Sequence, residues 1–224
     1  MHVHKPKPFH GLREVLGEIG IIVVGIVIAI GLEQAVEGLH WAGEVRAARA
    51  SLASEISRSN RVFAYRVAAE RCIDRRLDAL EAIIEQVAKH EPVPHLGQVM
   101  PDIGNALNDN IWQSHRAAQT LTHFDEKELE LLGFYYQQVN SVRSFESNEV
   151  DALGVLKVLQ GDPSRLGPAD IAGLRVAIQH ARFDNTLTAS IAADELDYSK
   201  QLHITPPPPN AGRLKEICSP PVLS

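Results

Sequence analysis

Aromatic side chains are scarce, at 5% of 224 residues, and cysteine is scarcer, with only Cys72 and Cys218. Few aromatics beside abundant Ala and Leu disfavour β-structure and favour helices. The two cysteines stand far apart, so no pair has metal-ligand spacing. A disulfide between them stays open, because the distance that decides it is not legible in sequence. Positive charge is in deficit too. A net charge of −6 argues against a general nucleic-acid binder, which carries a basic face.

Several motifs are absent. No Gly-rich phosphate loop, no G-x-S-x-G elbow and no 20–50-residue repeat occurs, which removes the usual nucleotide, hydrolase and solenoid readings. His2, His4 and His10 lie at the terminus, where an H-x-H lacks the second layer of residues that orients metal ligands. His90, His95, His115 and His123 have no carboxylate four residues further on and no Cys partner. No catalytic, cofactor or metal set is expected. Glu126, Glu128 and Glu130 open a helix, where its dipole already accounts for them.

Charge is missing altogether from residues 19–32, IGIIVVGIVIAIGL. Ten of these fourteen residues are Ile, Val or Leu, each favouring insertion by about 0.3–0.6 kcal/mol at a helix centre. Val15 and Leu16 extend the run, and Glu18 sits near its end, where a carboxylate reaches the interface at modest cost. Residues 15–32 at ~1.5 Å per residue cover roughly 27 Å, enough for a hydrocarbon core of about 30 Å. A membrane-spanning helix is the expectation. A buried core helix and a cleaved signal peptide, with Ala29-Ile30-Gly31 as the cleavage site, are the alternatives. Glu14 and Glu18 speak against the latter, as do the helix formers that follow without a break.

Lys5, Lys7 and Arg13 precede the span, whereas Glu33, Glu37 and Glu44 follow it. Lys and Arg mark the cytoplasmic side, so the expected topology is N-terminus in and C-terminal domain in the periplasm of a bacterial inner membrane. Gly25 and Ala29 offer a small-xxx-small face for self-association.

Proline is absent from residues 33–89. There Val45, Leu52, Ile56, Phe63, Val67, Ile73, Leu77, Leu80, Ile84 and Val87 recur at helical spacing. Arg46, Arg49, Glu55, Arg58, Arg66, Glu70, Arg75 and Glu81 take the opposite, polar face. Residues 90–101 carry three prolines and a glycine and break the helix. A shorter helix is expected over 102–121. Asp125 with Glu128 has capping-box form and opens a third, inward through Leu132, Tyr135, Tyr136, Val139 and Val142. Pro168 starts the last, which runs to about Leu202.

The expected fold class is all-α. A transmembrane helix runs into a long amphipathic helix and an up-and-down antiparallel bundle. Its segments are a basic cytoplasmic terminus (1–14), the span (15–32), a bundle domain (33–203) and a disordered or extended Pro-rich tail (204–224).

Trp112, Tyr135 and Tyr136 make an aromatic patch, either a plug in the core or, with Arg116, a candidate ligand or partner surface. Arg71, Arg75, Arg76, Arg116 and Arg143 form an anion pocket only if they converge; otherwise they are a solvated face.

Residues 12–56, and 110–132 with Trp112, Ala117, Ala118 and Leu121 followed by Tyr135, resemble a group of uncharacterised bacterial single-span membrane proteins. The resemblance covers about a third of the chain. It implies an N-terminally anchored helical protein of unknown function and supplies no catalytic residues. This chain differs in having a single Trp41 after the span. A non-enzymatic membrane-anchored interaction or scaffold protein is therefore expected. Its partners would be the lipid bilayer and another protein or a second copy. A sensory or small-ligand-binding bundle is the alternative.

Overall fold

The computed structural model describes residues 11–93, 95–101, 103 and 107–220, apart from the side chain of Glu14. The basic cluster of residues 1–10 and the expected helix start at 102 lie outside them. Among the described residues the chain is helical and has no extended strand. Helix α1 is Leu12–Ala88, α2 is Asn110–Ala117, α3 is Glu126–Leu156, α4 is Pro168–Gln201 and α5 is Ala211–Cys218. The chain divides into two compact units, residues 1–48 and 49–224.

In the first unit the apolar run is helical and wholly unburied. Its large aliphatics, from Ile19 to Leu32, are each about half exposed or more. The buried-core alternative therefore does not hold within this chain. The segment is long and apolar enough to cross a membrane.

The second unit is the bundle. Arg49 meets Glu128, and Arg66 meets Glu149, so α3 runs parallel to this part of α1. Arg175 meets Glu85 and Arg182 meets Asp78, so α4 runs antiparallel. Up-and-down order survives because the second leg is not a long helix. The described residues between α1 and α3 include α2 and a 3₁₀ turn, and among them Leu96, Val99, Met100 and Ile103 are buried in the core. Proline excludes helix there, and the apolar residues pin the segment down regardless. The second helix is correspondingly shorter than expected.

Caps follow the sequence closely at α3. The Asp125 side chain accepts from the backbone N–H groups of Lys127 and Glu128. Glu128 does not complete a capping box; its carboxyl takes a two-pronged hydrogen bond from Arg49 instead. At the far ends, α1 and α4 stop at His90 (φ 57°) and His203 (φ 60°), both left-handed. Glu91 N–H then donates to the Gln86 carbonyl, and Ile204 N–H to that of Ser199, which satisfies carbonyls the helices leave open.

The expected disordered tail is corrected. Residues 205–209 form no helix, and α5 follows with Asn210 capping it through Arg213 N–H. Ile217 is buried in the core cluster, and Cys218 is bonded to Cys72 across a sequence separation of 146. Four prolines prevent helix but not packing, and the apolar Ile217 and the disulfide hold the strap down.

Candidate functional site

Most buried polar residues lie along one length of the bundle, among apolar neighbours such as Ile56, Phe63, Val139 and Val142. The other length packs Ile73, Leu77, Leu80 and Ile84 of α1 against Leu153 and Leu156 of α3 and Leu174 and Ile178 of α4. In the first, Glu55, Asn60, Arg66, Glu146, Glu149, Asp184, Asn185, Thr188, Glu195 and Ser199 are buried. Two of them, Glu55 (1% exposed) and Arg66 (0%), were expected on the polar face of α1, whereas Val67 of the expected stripe is 37% exposed.

At one end of this polar interior the aromatic residues converge. Trp112 stacks on Tyr136 with ring centroids 4.8 Å apart, and Tyr136 meets Tyr135 edge-on at 5.5 Å. Trp112 is 8% exposed and both tyrosines are buried, while Arg116 stands exposed on α2. The aromatic patch is therefore interior, and a surface made of Trp112, Tyr135, Tyr136 and Arg116 does not form. Stacking over an apolar floor outweighs keeping three large rings in water. Arg143 is likewise drawn off to the surface, where it pairs with Asp109.

Glu55 explains why α2 docks here. Asp109, at the head of α2, makes no side-chain capping bond. Ile111 and Trp112 N–H donate instead to the two carboxyl oxygens of Glu55, at 2.9 and 3.2 Å, and the Tyr136 hydroxyl donates to one of them at 2.8 Å. A side chain from α1 thus caps α2, supplying acceptors for N–H groups no helical carbonyl reaches. Burial and the Glu55 contact push the Tyr136 hydroxyl upward, out of its ordinary range.

Deeper in, Arg66 Nη2 donates to Glu149 at 2.8 Å and to Asn185 at 3.4 Å. Asn185 passes the connection on through its amide to Asp74 at 3.1 Å. Burial pushes Glu149 and Glu146 up to about 7 each, although Arg66 pulls both back. Glu195 is 0% exposed with no hydrogen-bond partner on either oxygen, and burial raises it to about 8. Desolvation dominates all three, because a buried charge with incomplete pairing costs more than its proton.

The pH consequence has a definite sign. These carboxyls titrate at 4.5 when unperturbed and at about 7 to 8 when folded. Between those values the folded state holds more protons than the unfolded one. Their contribution is complete below about pH 4.5 and is lost as pH rises through 7 and 8. Glu195→Gln keeps the shape and removes one titration. It is expected to match wild type near pH 5 and to exceed it at pH 8 by on the order of 1–2 kcal/mol. Urea unfolding of the full chain in detergent at both pH values checks this; parallel pH curves for variant and wild type contradict it.

Sequence periodicity alone held a faint signal for these residues. Glu146 and Glu149 follow Val142 at helical steps on the buried face of α3, and Glu195 lies three beyond Ala192 on that of α4. Among the described residues no group of three or more His, Cys, Asp or Glu is placed to hold a metal ion. One surface groove lies between α3 and α4. It measures about 600 Å³ and is lined by Ala152, Val155, Val176, Ala177 and Phe183 together with the polar Asn148, Asp151, His180 and Asp184. Phe183 is 62% exposed. No family model, curated protein or solved structure matches this chain.

Proposed function

We propose that this protein is a non-enzymatic, membrane-anchored helical scaffold. In this reading residues 15–32 span a bacterial inner membrane, and the bundle lies on the periplasmic side. The observation that carries the proposal is the apolar run of α1, none of which is buried against protein. Ten Ile, Val and Leu side chains favour insertion by about 3–6 kcal/mol together, and Glu18 lies at the edge. Two observations support the orientation independently. Lys5, Lys7 and Arg13 precede the run. The Cys72–Cys218 disulfide belongs to the bundle, and such bonds persist in oxidising compartments. The groove between α3 and α4 is the docking face this reading offers, since exposed Phe and Val in one patch mark interaction surfaces.

Protease added to spheroplasts is expected to digest the bundle and leave a short membrane-embedded fragment with the original N-terminus. A C-terminus protected until the membrane is lysed, or a chain trimmed near Gly31, overturns the anchored topology. A second reading, a sensory bundle, has the titrating polar interior in its favour. It requires the bundle's stability or shape to change between pH 5 and 8, as the Glu195 comparison measures.

A further inference from the structure

Arg71, Arg75 and Arg76 lie within one and a half turns of α1; Arg75 touches the disulfide, and Arg76 reaches the residue after Cys218. Arg75 Nη2 donates to Cys72 Sγ at 3.1 Å, and its Nε is held by the Arg71 carbonyl at 3.3 Å. Arg76 Nη2 donates to the Ser219 carbonyl at 2.7 Å, just past the end of α5. The two cysteine residues are unequally exposed: Cys72 is 7% exposed, whereas Cys218 lies exposed on α5. Beyond Ile217, the strap's remaining hold on α1 includes the Arg213 guanidinium over the Tyr65 ring at 4.8 Å.

We infer that Cys72–Cys218 is a thiol–disulfide exchange site for a dithiol reductant, with Cys218 the sulfur attacked and Cys72 the leaving thiolate. A thiolate of the reductant bonds to Cys218 Sγ as the Cys72–Cys218 bond breaks, and the electron pair departs on Cys72 Sγ. The reductant's second thiol, as its thiolate, then attacks its own sulfur in the mixed disulfide and expels Cys218 as a thiolate, which takes up a proton. The dithiol leaves as a disulfide, two electrons poorer, and the strap is unclasped. Exchange favours the accessible sulfur as target, and exposure points to Cys218. A disulfide sulfur is a weak acceptor, whereas a thiolate is a charged one. The Arg75 contact therefore strengthens as charge develops on Cys72, which is how neighbouring arginines activate a cysteine.

The test uses the full oxidised chain in non-ionic detergent. Brief reaction with reduced glutathione, acid quench and alkylation should map glutathione to Cys218 and the alkyl group to Cys72. Reduction by dithiothreitol should be slowed roughly three- to tenfold by Arg75→Gln and largely restored by Arg75→Lys, with Arg165→Gln as the neutral control. Trypsin cutting after Arg213 and Lys215 should rise on reduction as the strap opens. Glutathione on Cys72, a wild-type rate in Arg75→Gln, or reduction only in denaturant that unfolds the bundle would each overturn the assignment. So would a strap that stays protected after reduction. Arg75 is exposed, so its variants leave the core intact.

Discussion

Arg66→Met is expected to destabilise the bundle by about 3–5 kcal/mol at pH 8, the usual cost of removing one partner from a buried ion pair. Arg66 is fully buried and supplies the hydrogen bond to Glu149; it also pulls both Glu149 and Glu146 downward. Without it both carboxyls rise further. At pH 8 they must either ionise while buried without a paired cation or stay protonated against the solution. Near pH 5.5 both are already neutral, so the loss shrinks to about 1–2 kcal/mol, mostly packing and one hydrogen bond. The double variant Arg66→Met/Glu149→Met should recover most of the stability, because well-packed apolar residues replace buried ion pairs at little cost. Urea unfolding followed through Trp112, which is stacked on Tyr136, reads all three proteins. A loss under about 1 kcal/mol at pH 8, or no recovery in the double variant, contradicts the account.

Cys72→Ser/Cys218→Ser is expected to cost about 5 kcal/mol at most, on the loop-entropy estimate for residues separated by 146 positions. The stabilisation acts on the unfolded chain, which the bond keeps from expanding. Without the bond, the strap's local hold rests on contacts such as the burial of Ile217 and the Arg76 bond to Ser219. The strap is then expected to open before the bundle does, since a short terminal helix retains few buried contacts. Thermal unfolding of the full chain gives the total. Hydrogen exchange over α5 separates the steps: fast exchange there, with the α1–α4 core protected, is the expected pattern. An unchanged midpoint together with a protected α5 would show that packing alone holds the strap.

Helix identity was legible because it depends on local pattern. The apolar run in α1, the Asp125 cap and Pro168 at the head of α4 each act within one or two turns of chain. The same periodicity misassigned Glu55 and Arg66. Phase along a helix says which side a residue is on, but here both sides of α1 meet protein. Glu55 turns inward because α2 returns with N–H groups in need of acceptors, and Arg66 because Glu149 and Asn185 arrive from two other helices. Neither partner lies within 50 residues in sequence. The tail shows the same limit. Its prolines correctly exclude helix over residues 205–209, yet its order rests on a sulfur 146 residues away and on a core that accepts Ile217.

By itself, the sequence determined that the chain is helical, that it carries an unbroken apolar run without charge, and where most helices start and stop. Each of these follows from hydrogen bonds or transfer energies within a few residues of one another. Only the tertiary structure decided that the second leg is not a long helix, that one length of the bundle buries most of the polar residues, and that the aromatic residues are core. It alone decided that two distant cysteines meet under an arginine. Those outcomes depend on which faces are brought together across separations such as 56 residues for Glu55 and Ile111 and 146 for the cysteines, where burial changes the cost of a charge by several kcal/mol. The apolar segment of α1 needs no such partner, and for that reason it was readable first.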